Sequence, residues 1–284
     1  MAAPTPAVLA PTLLGVDFTC APGRRKPIVV ATGSLRGEVL QANTLRRLQT
    51  LAEFEALLAE PGPWLGGFDL PFGLPREFVA SLGLGATAAE VIAELQRRCE
   101  GRRLDFRALV DAWGNARPPG QRLIHRATDR AGTPASSSPL QTRYVPVGFM
   151  YFEGLARIVA SGARVPGLVR GDAQRVALEA YPARAAQALV GPRSYKNSDA
   201  AGRTAARAAI VRGLERGEGG FGLALAVPRA LRRELLADAA GDALDAVLCL
   251  VQVAWAARQP RYGLPRGVDA VEGWIIGPQG VRTA

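Results

Sequence analysis

Trp64-Leu-Gly-Gly-Phe-Asp69-Leu-Pro71-Phe-Gly73-Leu-Pro75 decides how this chain is read. Its apolar beginning predicts a buried β-strand. Pro71 and Pro75 forbid continuation, because proline has no N–H for a ladder and fixes φ. Asp69 is therefore expected at the carboxyl end of a central strand, the edge where open α/β sheets bind ligands. Aspartate also caps the turn after a strand. The choice between the two roles rests on the other acidic residues.

Upstream, Leu13-Leu-Gly-Val-Asp17-Phe is a second short apolar run ending on a carboxylate, and predicts the first strand. Residues 19–27 form a turn-rich basic connection. Residues 28–35 and 38–45 predict a hairpin around Arg36-Gly37. Thr50-Leu-Ala-Glu53 is a capping box that opens a helix running through Glu60. A helical crossover then makes the Asp69 strand parallel to the first. Asp17 and Asp69 would thus project from one edge of neighbouring strands.

Downstream, helices are expected at 76–82, from the capping box Thr87-Ala-Ala-Glu90 to about 100, and at 102–113. Residues 115–147 are rich in Pro, Gly, Ser and Arg and read as a functional insertion or partly mobile lid rather than packed core. Residues 148–161 return to helical periodicity. Residues 175–180 predict a strand that carries Glu179 and stops before Pro182. A helix at 183–190 and a basic loop at 191–197 follow. Asp199 is placed to cap a helix to about Arg216, whose Arg203, Arg207 and Arg212 give it a partly basic surface. Residues 238–258 are apolar nearly all round, the mark of a buried helix. Asp242 and Asp245 nevertheless share a face in its first turns. Residues 268–276 predict a final edge strand.

Composition limits the alternatives. The chain has 284 residues, 48% of them hydrophobic, with a mean hydropathy of +0.07, as in a globular protein with one large core. No apolar run is long and clean enough to span a bilayer. Residues 1–11 read as a loose, disordered tail without the basic start of a signal peptide, ahead of one domain over 12–284. Three distant cysteines exclude a disulfide framework or zinc knuckle and favour a reducing cytoplasm. The net charge of +10 favours polyanions. Only Lys26 and Lys196 are lysines among 35 basic residues, so an Arg-rich coding bias also accounts for the charge.

Several familiar sites are absent. Gly217-Glu-Gly-Gly-Phe-Gly222 follows an Arg-rich helix rather than a strand, so it is no dinucleotide fingerprint. There is no Walker A sequence and no GxSxG elbow. His125 is the only histidine, which argues against a His-ligated zinc or a His-based triad and leaves it a surface or lid role. What remains is the acidic set Asp17, Asp69, Glu179, Asp242 and Asp245. Gathering such carboxylates in low dielectric is costly. A divalent cation removes that cost, and hard oxygen ligands suit Mg²⁺ or Mn²⁺. Turn or cap chemistry explains each acid singly; it must act several times over to explain the set.

Gly15-Val-Asp17, a hairpin, a helix, Asp69 on the fourth strand and a late helix with Asp242-Ala-Leu-Asp245 resemble the ribonuclease H-like fold. More closely, Gly67-Phe-Asp-Leu-Pro-Phe-Gly73, Leu178-Glu-Ala-Tyr-Pro182, Tyr195-Lys196, Asp242-Ala-Leu-Asp-Ala246 and Glu272-Gly-Trp-Ile275 resemble an uncharacterised family of predicted RNase H-like nucleases, a domain of unknown function. The resemblance covers about residues 13–276. It implies an α/β fold with a mixed five-stranded sheet flanked by helices and metal-bound carboxylates at one edge. The expected strand order is 3-2-1-4-5, with strands 1, 4 and 5 parallel and a helical insertion at about 76–170. It further implies a metal-dependent nuclease with Asp17, Asp69 and Asp245 on the metal, Asp242 beside them, and Glu179 less defined. Many nucleases of that superfamily carry Glu on the fourth strand, where this chain has Asp69. Lys196, Arg203 and Lys26 are the expected nucleic-acid contacts, with Arg24, Arg25 and Arg207 nearby. Gly15-Val-Asp-Phe-Thr19 also resembles the first phosphate loop of actin-like ATPases and sugar kinases, so an ATP-dependent phosphotransferase is the alternative. A non-catalytic nucleic-acid binder on the same core is the third reading.

Overall fold

The computed structural model describes residues 10–278. Residues 1–9 of the expected tail lie outside them. Strand β1 (Thr12–Asp17) is buried along nearly all its length. It pairs with antiparallel β2 (Ile28–Arg36), which turns back into antiparallel β3 (Val39–Leu48). Helix α1 (Leu51–Leu58) crosses over to β4 (Trp64–Phe68), parallel to β1. The Thr50 hydroxyl accepts the Glu53 N–H and the Glu53 carboxylate accepts the Thr50 N–H.

An insertion follows. It holds α2 (Arg76–Ser81), α3 (Ala88–Arg98), α4 (Arg103–Asn115), α5 (Ala127–Arg130), α6 (Val147–Met150), a π-helical turn at Tyr151–Leu155 and α7 (Ala156–Ala160). The chain returns through β5 (Ala163–Arg164) and β6 (Asp172–Glu179). It closes with α8 (Pro182–Val190), α9 (Ala201–Glu215), β7 (Ala224–Ala226), α10 (Arg229–Ala237) and α11 (Asp242–Ala257). The fold is α/β, with a mixed sheet of seven strands in the order β5-β6-β4-β1-β2-β3-β7. The sequence reading expects five. The additional strands are the edges β5 and β7, two and three residues long, too short to carry a period-2 signal.

Successive strand residues face opposite sides of a sheet, and the two cores divide accordingly. Leu14 and Val16 enter a core with α1, the insertion helices α2–α4, the π-helical turn and α7. Leu13 enters a second core with α8–α11. Helix α11 is the centre of that second layer, with its body buried on all sides.

Four local expectations change. Residues 268–276 do not form an edge strand. The Asp269 carboxylate accepts the N–H groups of Val271 and Glu272 and turns the chain, so only Ile275 makes an isolated bridge to Glu179. Asp199 does not cap α9, whose first position follows Ala200 without a side-chain cap. Helix α11 starts at Asp242 rather than 238, because Gly241 takes a left-handed φ of 86° and the Asp238 carboxylate accepts from Ala240 and Ala243. The 115–147 segment, expected outside the packed core, is packed in part: Arg126, Thr128, Asp129, Ser136, Ser138 and Thr142 in it are buried.

Candidate metal centre

Two Gly-x-Asp units build the site. Leu13, Gly15 and Asp17 share one face of β1, and Leu65, Gly67 and Asp69 continue the same face along β4. The parallel register sets Leu13 beside Leu65 and Gly15 beside Gly67. The Asp69 N–H donates to the Val16 carbonyl at 2.9 Å, so the two acids end up adjacent. The glycines admit α11. A Cβ at Gly15 would lie 2.1 Å from the Ala246 carbonyl oxygen, and one at Gly67 would lie 2.7 Å from Val253 Cγ2. The helix therefore lies almost on the backbone of both strands. Its first turn delivers Asp245 to the sheet edge.

One oxygen each from Asp17, Asp69 and Asp245 lies within 4.8 Å of the others. Asp17 and Asp245 are 7% and 1% exposed, whereas Asp69 is half-buried, so the cluster opens to solvent on the Asp69 side. Burial pushes Asp17 well above the ordinary carboxylate range, and Asp245, Asp69 and Asp242 add repulsion. Burial likewise lifts Asp69 to about 7, with Lys196 pulling down and Asp245 and Glu179 pushing up. Asp245 is raised by burial against the opposing pull of Lys196 and Tyr195. The N-terminus of α11 favours negative charge at Asp242 and Asp245.

Positive and polar groups cover the cluster. The Tyr195 hydroxyl donates to Asp245 Oδ1 at 2.5 Å, and Lys196 Nζ donates to Asp245 Oδ2. Lys26 Nζ donates to Asp242 Oδ1 at 2.5 Å. Burial alone would lower the Lys196 ammonium, but Asp245, Asp69 and Asp17 hold it above its usual value. Arg203 donates to the Lys196 carbonyl. Arg207, expected on a basic surface, is 1% exposed. Its guanidinium donates to the carbonyls of Tyr195, Ser198 and Leu236 and so shapes the loop that carries Tyr195 and Lys196. Arg24 and Arg25 are exposed.

Glu179 sits at the end of β6 outside the three-acid group. Both its oxygens accept from the Arg126 guanidinium, at 2.6 and 2.9 Å. Glu179 Oε2 also accepts the Phe72 N–H at 2.9 Å. Arg126 is shared with Asp129, and all three side chains are buried. This triad fastens the insertion and the turn after Asp69 to the sheet.

The three-acid donor set is all oxygen and strongly self-repelling, which fits a hard divalent cation. Tyr195 and Arg126 are not among the expected site residues, and Arg207 is expected near the site only as a basic surface group rather than as the buried brace it forms. The Tyr195-Lys196 pair carried a signal. Nothing local marks Arg126 or Arg207, since an arginine in an Arg-rich chain reads as surface.

Among the described residues, no helix is long and apolar enough to cross a membrane. No curated protein and no solved structure matches the chain. Residues 15–269, nearly the whole α/β unit with all three clustered aspartates, match the family model described as "Protein of unknown function (DUF429)", and the chain belongs to that family.

Proposed function

We propose that this protein is a metal-dependent nuclease of RNase H-like build that hydrolyses phosphodiester bonds of nucleic acid. The observation that carries the reading is the convergence of Asp17, Asp69 and Asp245 at one sheet edge. The run β3-β2-β1-β4-β6 within the larger sheet, with acids on β1, after β4 and on a late helix, supports it.

Asp17, Asp69 and Asp245 would hold Mg²⁺ or Mn²⁺. Bound there, the ion supplies Lewis acidity toward a phosphoryl oxygen and a water of lowered pKa. Tyr195 fixes one oxygen of Asp245, and Arg207 fixes the Tyr195 loop. Asp242 holds Lys26 beside the cluster. Glu179 anchors the Asp69 turn through the Phe72 N–H. Lys26, Lys196 and Arg203, with exposed Arg24 and Arg25, are the groups for the phosphate backbone, whose binding weakens steeply with salt.

The test is cleavage of labelled single- and double-stranded DNA and RNA with Mg²⁺, with Mn²⁺ and with chelator. Metal-dependent cleavage that vanishes in Asp17→Asn, while oligonucleotide binding survives, supports the reading. No cleavage of any of the four substrates with either ion, beside saturable ATP binding, would replace it with the phosphotransferase reading.

A further inference from the structure

The chain has 35 basic residues, and only Lys26 and Lys196 among them are lysines. Both are ion-paired to first-turn acids of α11, Lys26 to Asp242 and Lys196 to Asp245. Among the described residues the other ion pairs use arginine, often with two nitrogens on one carboxylate. Examples are Arg76 on Asp269, Arg97 on Glu94 and Arg216 on Glu218. A guanidinium fork locks onto a carboxylate; an ammonium is a point charge on a flexible stem that turns away without breaking a planar pair. Lysine is thus placed at one acid of the candidate metal centre, Asp245, and at Asp242 beside it in the first turn of α11.

The lysines are also the more exposed partner of each pair. Their side chains are 53% and 33% exposed, against 11% for Asp242 and 1% for Asp245. Asp245 does not depend on its lysine for position, because Tyr195 holds its other oxygen.

We propose that Lys26 and Lys196 are exchangeable counter-ions: a divalent cation on Asp17, Asp69 and Asp245 takes the place of Lys196 on Asp245 and repels Lys26 from neighbouring Asp242, and the freed ammonium groups become ligands for substrate phosphate. The proposal rests on the metal-dependent nuclease reading and adds a coupling to it. Metal and polyanion then bind with positive cooperativity, because the first removes the pairing that the second would have to break.

Calorimetric Mn²⁺ titration of the full chain separates the possibilities. If the paired state holds about nine-tenths of the molecules, Lys196→Met should tighten Mn²⁺ binding about tenfold. Lys196→Arg keeps the charge but locks the pair, and should weaken it. Acetic anhydride labelling read by mass spectrometry follows both lysines individually, and Mn²⁺ should speed their acetylation. Mn²⁺ should also strengthen binding of a phosphorothioate oligonucleotide more in the parent than in Lys26→Met/Lys196→Met. A parent that binds no Mn²⁺ overturns the metal reading itself. A parent that binds Mn²⁺, with Lys196→Met no tighter, acetylation not accelerated, or an equal gain in oligonucleotide binding in the double variant, overturns the exchange alone.

Discussion

Gly15 lies directly against Ala246: a Cβ at residue 15 would stand 2.1 Å from the Ala246 carbonyl oxygen and 2.3 Å from the Leu250 nitrogen. Both are backbone atoms of α11 and cannot rotate aside. Gly15→Ala must therefore push the helix off the sheet or strain it, at about 3 kcal/mol by the usual cost of overpacking. Because the same helix carries Asp245, the variant should also lose affinity for Mn²⁺. Gly202→Ala is the control. A Cβ there meets nothing within 4 Å, and alanine in a helix is favoured by about 0.5 kcal/mol or more. Urea denaturation of both variants checks the difference, and equal stabilities would remove Gly15 from the account of the site.

Asp17→Asn separates charge from fold. In the metal-free protein Asp17 is buried and faces the repulsion of Asp245, Asp69 and Asp242, so a neutral amide should leave the thermal midpoint equal or higher. With Mn²⁺ the order reverses. The parent gains stability by linkage, and Asp17→Asn and Asp245→Asn gain less. Differential scanning fluorimetry with and without Mn²⁺ reads both effects. A lower midpoint for metal-free Asp17→Asn would mean that the carboxylate is structural.

The pH dependence follows from Asp69. Its folded pKa of about 7 lies above that of an unfolded aspartate, about 3.9. Between those values the folded protein binds a proton that the unfolded chain has released, so this group's contribution to metal-free stability falls as pH rises from about 4 to about 7. Asp69→Asn should flatten that part of the curve. The thermal shift from Mn²⁺ should grow over the same window, because the ion needs the carboxylate. Midpoints at about pH 5 and about pH 8, with and without Mn²⁺, measure both slopes. A shift from Mn²⁺ that is no larger at the higher pH would exclude Asp69 as a ligand.

What could be read from the chain was local or periodic. The capping boxes at Thr50 and Thr87 are complete within four residues and form as expected. The Gly-x-Asp units at residues 15–17 and 67–69 set the acid two places beyond a small residue. A period of 2 is enough to put both on one face. The rest depended on long-range partners. Arg126 meets Glu179 across 53 residues, and Lys196 meets Asp245 across 49. No pattern within a helix or strand encodes either meeting. Arg207 looked like one more basic residue on a helix, yet its function is to hold the carbonyls of the Tyr195 loop. The edges β5 and β7 are defined by their neighbours rather than by their own residues.

The Arg126 triad supplies the last prediction, which distinguishes an anchor from a metal ligand. Arg126, Asp129 and Glu179 are at most 4% exposed. Removing the guanidinium strands two buried carboxylates, and breaking such a pair costs about 3–5 kcal/mol. Arg126→Met should therefore lower the denaturation midpoint sharply. Adding Glu179→Gln should recover part of the loss, because one stranded charge is gone and the glutamine carbonyl still accepts the Phe72 N–H. Glu179→Gln alone should be destabilised less than Arg126→Met, since Arg126 keeps Asp129. Its thermal shift with Mn²⁺ should stay close to the parent's, because Glu179 gives both oxygens to Arg126 and lies outside the three-acid group. Asp245→Asn should show the opposite pattern, with little change in metal-free stability and most of the Mn²⁺ shift gone. If Glu179→Gln loses the shift as fully as Asp245→Asn does, then Glu179 is a ligand and the triad must open when the ion binds.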